Sequence, residues 1–197
     1  MDIEKLVTAY FEVFQIENED IMAVPFMEGL PQDMLVGPPN EENWVAWKLV
    51  PGTLELADYD PLEQRIGCQL PPSFKEWHRR FFSLDGLQVA GIALPGTPSN
   101  NPFGPLEDAI FDQGCSDEAI PLGIIPFGWV EDEGAWACFD ARQPREGNEW
   151  PILLLDHELE VADALQKVDR ERSVGEADRP TFVDLLEAAV RHSHETY

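Results

Sequence analysis

The chain has 197 residues, of which 44% are apolar, enough to bury the core of one domain and too many for a disordered segment. It carries 38 Asp and Glu against 13 Lys and Arg, a formal net charge of −25, so its surface repels phosphate backbones and anionic lipid and attracts basic partners. No apolar run reaches the roughly 18 to 20 residues of a membrane span, and Met1-Asp2-Ile3-Glu4-Lys5 has no basic segment leading into an apolar one, so a cytoplasmic protein is expected, with no membrane and no nucleic acid among its partners.

In chain order, Ile3 to Phe14 has the spacing of an amphipathic helix, with Ile3, Leu6, Val7, Tyr10, Phe11 and Phe14 on one stripe. Pro25 to Asn43 is rich in Pro and Gly and is expected to be irregular. Trp44 to Val50 reads as a strand stopped by Pro51-Gly52. The clearest helix follows Leu70-Pro71-Pro72: Ser73 with Glu76 fits a capping box, Phe74, Trp77, Phe81 and Leu84 form its apolar face, and Gly86 suits its C-terminus. Strands are expected at Leu87–Leu94, Ile120–Val130, Ala135–Asp140 and Trp150–Asp156, with Glu131-Asp132-Glu133-Gly134 as a hairpin turn. Pro95 to Glu118 reads as a large surface loop. Leu159 to Val168 reads as a helix, and a last helix starts at Thr181 with Asp184 as its capping partner. Helices at both ends around a run of short strands imply one α+β domain, with a mainly antiparallel central sheet flanked by N-terminal, middle and C-terminal helices.

The charge is unevenly spread. Between Phe81 and Ala141 there is no Lys or Arg, against ten acids: Asp85, Glu107, Asp108, Asp112, Asp117, Glu118, Glu131, Asp132, Glu133 and Asp140. The preceding segment is locally basic, with Arg65, Lys75, Arg79 and Arg80. If the acids converge they form an acidic pole. The candidate partner surface is therefore Glu107, Asp108, Asp112, Asp117, Glu118 and Glu131 to Glu133 (Glu131, Asp132, Glu133), with Trp129 and Trp136 beside them as aromatic anchors. Burial in the sheet is the competing reading of the tryptophans, and a solvated face that of the acids.

Nothing in the sequence requires catalysis. There is no G-x-x-x-x-G-K, G-x-S-x-G or H-E-x-x-H pattern. Asp156-His157-Glu158 reads as a strand end, because adjacent residues on a strand point to opposite faces. His192-x-His194 does not put both imidazoles on one helix face. Cys68 and His78 form a Cys–His combination with no supporting context. The three cysteines, Cys68, Cys115 and Cys138, cannot pair completely and contain no C-x-x-C, so neither a disulfide framework nor a zinc site is expected. No metal and no cofactor are expected.

The order of elements and the residues at their joints resemble the SUKH superfamily, which includes a yeast cell-wall-synthesis regulator and many bacterial immunity proteins. The match starts at Glu63-x-x-x-Gly67-x-x-Leu70-Pro71-x-Ser73-Phe74 and runs on to Phe81 and Asp85-Gly86, where the family commonly has Asn-Gly. It continues with Ile120-Pro121-Leu122-Gly123, Trp136-Ala137-Cys138-Phe139-Asp140, Pro151-Ile152-Leu153, Asp156-His157-Glu158 and Thr181-Phe182-Val183-Asp184-Leu185-Leu186. The resemblance implies a SUKH-like domain over 62–197, with residues 1–61 as an N-terminal extension packed on its core. In it, Glu63, Gly67, Leu70, Pro71, Ser73, Phe81 and Gly86 are structural and do not touch a partner. It also implies a non-enzymatic binding domain, either an immunity protein that neutralises a basic toxin domain such as a nuclease, or a regulatory scaffold or adaptor with a non-toxin partner. Oligomeric state and the identity of the partner stay open.

Overall fold

Helix α1 (Ile3–Asn18) buries Leu6, Val7, Tyr10 and Phe11, the stripe that its spacing predicts. It belongs to a computed structural model that describes residues 2–18, 22–84, 86–173 and 179–196. A small antiparallel sheet comes next, with β1 (Ala23–Pro25), β2 (Leu35–Val36) and β3 (Trp44–Trp47) in the order β1-β3-β2. The expected irregular stretch from Pro25 to Asn43 is thus corrected in part: a lone strand at Trp44 needs backbone partners, and two short flanking segments supply them. Beyond β3 the chain breaks and resumes as β4 (Val50–Pro51).

Helices α2 (Asp60–Ile66) and α3 (Pro72–Arg80) follow. The α3 helix stops at Arg80, well before the expected Gly86, because β5 (Phe81–Phe82) turns extended to pair with β4, Val50 opposite Phe82. Gly86 therefore ends no helix. A side chain there would overlap the Leu94 carbonyl, so the position is held to glycine by space. Its neighbour Asp85 lies outside the described residues. The expected strand Leu87–Leu94 is instead a hairpin of β6 (Gln88–Val89) and β7 (Ile92–Ala93), turned at Ala90-Gly91 with both φ positive. The expected surface loop from Pro95 to Glu118 contains helices α4 (Gly104–Phe111) and α5 (Ser116–Ala119), and Leu106 and Ile110 of α4 are fully buried. Its Pro and Gly content hid these helices; Pro105 sits in the first turn, where a missing N–H costs nothing.

Strands β8 (Ile124–Val130), β9 (Ala135–Asp140) and β10 (Ile152–Asp156) complete a five-stranded antiparallel sheet of order β10-β9-β8-β7-β6. Helices α6 (Val161–Ser173) and α7 (Phe182–Thr196) close the fold, which is α+β with antiparallel sheets. The α7 start is as predicted: Thr181 donates its N–H and hydroxyl to the Asp184 carboxylate at 2.7 and 2.8 Å.

Two cores sandwich the sheet. On one face Phe127 and Phe139 stack at 3.8 Å and meet Phe74 of α3 and Phe182 of α7. On the other, Cys138, Leu153 and Leu155 pack with Ala119 of α5 and with Val161, Ala164, Leu165 and Val168 of α6. Helix α1 packs on α3 and α7, and Phe11 stacks on Trp77 with centroids 6.0 Å apart.

Candidate functional site

The residues between α2 and α3 form a buried polar latch. Gly67 closes α2 with φ 89°, a conformation that favours glycine, and its N–H bonds to the Glu63 carbonyl. The Glu63 carboxylate accepts the Leu70 N–H at 2.8 Å and the Lys75 ammonium at 2.7 Å, tying the turn to α3. The expected Ser73–Glu76 capping box is not formed. Pro71 is the N-cap, Glu76 pairs with Arg79 at 2.7 Å, and Ser73 lies inside the helix. A long-range partner takes its place. Glu149, 76 residues away in sequence, accepts the Ser73 N–H at 3.0 Å and its hydroxyl at 2.5 Å. Burial pushes the Glu149 carboxyl up from its ordinary range, and the two bonds from Ser73 oppose that shift.

Glu63→Ala is expected to destabilise the protein by about 2–4 kcal/mol, since it leaves a buried N–H and a nearly buried ammonium without their acceptor. Urea unfolding followed by tryptophan fluorescence measures it. A loss under about 0.5 kcal/mol would show that water replaces the carboxylate at no cost.

Behind the latch, His78 is fully buried, its Nδ1 paired with the Tyr59 hydroxyl at 2.8 Å. Burial lowers its pKa to about 3, with the Pro102 carbonyl opposing, and burial likewise pushes the Tyr59 phenol well above its usual range. His78 is thus a neutral core residue among Tyr59, Phe74 and Phe103. Cys68 is half-buried, and its thiol is pushed up by burial and then by Glu63, so it is a weak nucleophile. Cys115 and Cys138 are buried free thiols. Among the described residues, no group of three or more His, Cys, Asp or Glu is placed to hold a metal ion.

On the face of the sheet opposite Phe127 and Phe139, the tryptophans come together. Trp129 and Trp136 are cross-strand partners, edge to face with centroids 6.0 Å apart. His157, in the turn after β10, packs on both at 5.6 and 6.3 Å, and its Nδ1–H donates to the Gly134 carbonyl in the β8–β9 turn. The Trp136 indole N–H donates to Gln113 Oε1 at 3.1 Å, in the connection from α4 to α5. Both indoles are half-buried, between the full burial and the free anchor that the sequence left open. A shallow cleft lined by Ala93, Pro95, Ala109, Gln113 and Gly128 opens beside Trp129.

These contacts sort the acids. Gln113 places the C-terminal end of α4, with Asp108 and Asp112, beside Trp136, and His157 places the Glu131–Glu133 turn on the other flank. Asp117 and Glu118 open α5, on the same side of the sheet. These seven are exposed and make no ion pair among the described residues. Glu107, a member of the expected surface, and Asp140, one of the ten acids of the segment, stand apart from them. Glu107 turns toward Arg65 of α2, 3.6 Å away, and Asp140 is buried in a two-pronged bond to Arg142 at 2.7 and 2.8 Å. Asp108 and Asp112 at the C-terminal end of a helix oppose its dipole, a local cost of a few tenths of a kcal/mol with no structural return. Gln113 escaped the sequence reading and His157 entered it only as part of a strand end: no local pattern marks two residues that meet a tryptophan only across turns.

Residues 53–168, more than half of the chain, match the SMI1 / KNR4 family (SUKH-1). The chain belongs to this family. No curated protein matches it. The SUKH-1 region contains the Glu63 latch, the five-stranded sheet, the tryptophan pair and most of α6, whereas α1, the small N-terminal sheet and α7 lie outside it. No helix among the described residues is long and apolar enough to cross a membrane. In this SUKH-1 protein the motif residues Glu63, Gly67, Leu70, Pro71 and Ser73 build the joint between α2 and α3, and the aromatic and acidic residues stand on a different part of the surface.

Proposed function

We propose that this SUKH-1 protein is a cytoplasmic immunity protein that acts by binding, with no chemical step, and neutralises a basic toxin domain such as a nuclease. The observation that carries the proposal is the half-buried Trp129–Trp136–His157 cluster flanked by exposed acids that make no ion pair among the described residues. Rigid aromatic rings supply contact area at small entropic cost, and the acids steer a basic partner and fit a surface evolved for polyanions. Family membership supports a protein-binding domain and leaves the partner open.

The test is a pull-down with this protein as bait against the proteins of its own source, at about 50 and about 500 mM salt, a range over which screening rises severalfold. One basic, toxin-like domain should be recovered, and more weakly at the higher salt. The double variant Glu131→Lys/Asp132→Lys should weaken that complex at least about tenfold, while Glu12→Lys on α1 leaves it nearly unchanged. A partner that is not basic, or that ignores both salt and the double variant, overturns the proposal in favour of a regulatory scaffold.

A further inference from the structure

We propose that the outer face of the N-terminal sheet is a second protein-docking surface, for a segment that presents apolar side chains flanked by Lys or Arg. The sheet buries Val24, Val45 and Trp47 on its inner side. Because strand side chains alternate, its other side carries Pro25 opposite Trp44, and Val36 and Ala23 opposite Ala46. That outer side has no polar residue on its paired positions. Met27 stands exposed just beyond β1, and exposures of 44% for Trp44, 51% for Val36 and 63% for Met27 leave these apolar side chains open among the described residues.

The surface is held rigid. Asn40 Oδ1 accepts the Glu42 and Trp44 N–H groups at 3.0 and 2.9 Å, and Asn43, with φ 63°, bonds Phe26 through both backbone and side chain. The far side is pinned to the body of the protein by Ser99 to Asp33 at 2.9 Å and Asn100 to the Gly29 carbonyl at 2.9 Å. A preorganised exposed tryptophan in an apolar patch is the feature that interfaces use and that free surfaces avoid.

The charge selects the occupant. Glu28, Glu41 and Glu42 border the patch, all exposed, and Lys48 is the one cation between residues 22 and 51. A second copy would bring acidic rim against acidic rim on a chain of net charge −25, so self-association is disfavoured. Anionic lipid is repelled for the same reason. Pro25 on β1 closes that edge to strand addition, and the exposed apolar side chains stand on the face. A basic-rimmed apolar segment of another protein satisfies both the patch and its border. The surface lies outside the SUKH-1 match and does not depend on the tryptophan pair of the main sheet.

The experiment uses the full chain and two synthetic twelve-residue hairpins that share a Leu/Val face, one flanked by Lys and one by Glu, with binding read by calorimetry. The Lys hairpin should bind, more weakly at about 500 than at about 50 mM salt. Binding should fall at least about tenfold in Trp44→Ala and Val36→Asp, two exposed positions, and survive in Glu131→Lys/Asp132→Lys, which separates this surface from the one proposed for the toxin. Thermal unfolding of each variant verifies the fold. The proposal is overturned if neither hairpin binds, if both bind equally, or if Trp44→Ala and Val36→Asp leave the Lys hairpin unaffected. A concentration-dependent dimer abolished by Val36→Asp, or binding of neutral lipid vesicles through Trp44, would assign the face to those occupants and overturn it as well.

Discussion

Replacing Phe74 by alanine is expected to lower the unfolding free energy by about 3–5 kcal/mol, much of the stability of a domain this size. Phe74 is fully buried at the meeting point of both layers of the main core. Its ring contacts Phe127, Phe139 and Phe182 edge to face at 5.6, 5.3 and 5.3 Å, and Trp77 at 6.2 Å. These neighbours come from three different elements, β8, β9 and α7, as well as α3 itself, so no single shift collapses the space left behind. Urea unfolding followed by fluorescence and by circular dichroism measures the loss. Phe74→Leu, which keeps most of the volume, should cost clearly less. A Phe74→Ala cost below about 1 kcal/mol would mean that the core around this ring repacks freely.

Acidification is the second large lever, and it acts through His78. Its folded pKa of about 3 lies below the ordinary value of 6.5. The native state therefore keeps the imidazole neutral while the unfolded chain protonates it. Stability due to this group is complete above pH 6.5 and is lost as pH falls toward 3, by up to about 1.4 kcal/mol per pH unit. Glu149 works in the opposite direction. Its raised pKa means that the native state takes up a proton before the unfolded state does, so its contribution is complete below the ordinary carboxylate value and is lost as pH rises through the folded one.

His78→Phe separates the two. Phe74 and Phe103 already surround the ring, and the Tyr59 hydroxyl keeps the Lys75 carbonyl as an acceptor at 3.2 Å. Melting temperatures of the wild type and His78→Phe across pH 7 to 3.5 should converge as the pH falls, because the variant loses the slope that His78 contributes. Parallel curves would show that His78 does not set the acid sensitivity.

The resemblance to SUKH proteins was legible because it rests on a local stretch, Glu63 to Phe74, whose chemistry is a turn and a helix start. Even there the atoms that satisfy Ser73 were not legible: a capping box is a local device, and this helix takes its acceptor from Glu149, which only the fold brings near. The early end of α3 has the same cause. Phe81 and Leu84 continue the helical spacing, but β4 offers backbone partners that sequence spacing does not register. The candidate site was legible as a composition, acids with two tryptophans. Which of them cohere was not.

Side-chain periodicity and charge, which depend on neighbours one to four residues apart, determined the α1 stripe, the β9 strand and the Thr181–Asp184 cap, as well as the acidity of the whole chain. The tertiary structure decided what depends on distant segments meeting. It paired Trp129 with Trp136, set His157 and Gln113 against them, turned Glu107 to Arg65, buried Asp140 against Arg142, and left Val36 and Trp44 of the N-terminal sheet exposed. Local preference is worth tenths of a kcal/mol per residue, whereas burial and long-range hydrogen bonds are worth whole ones, so the latter choose which acids remain free to meet a partner.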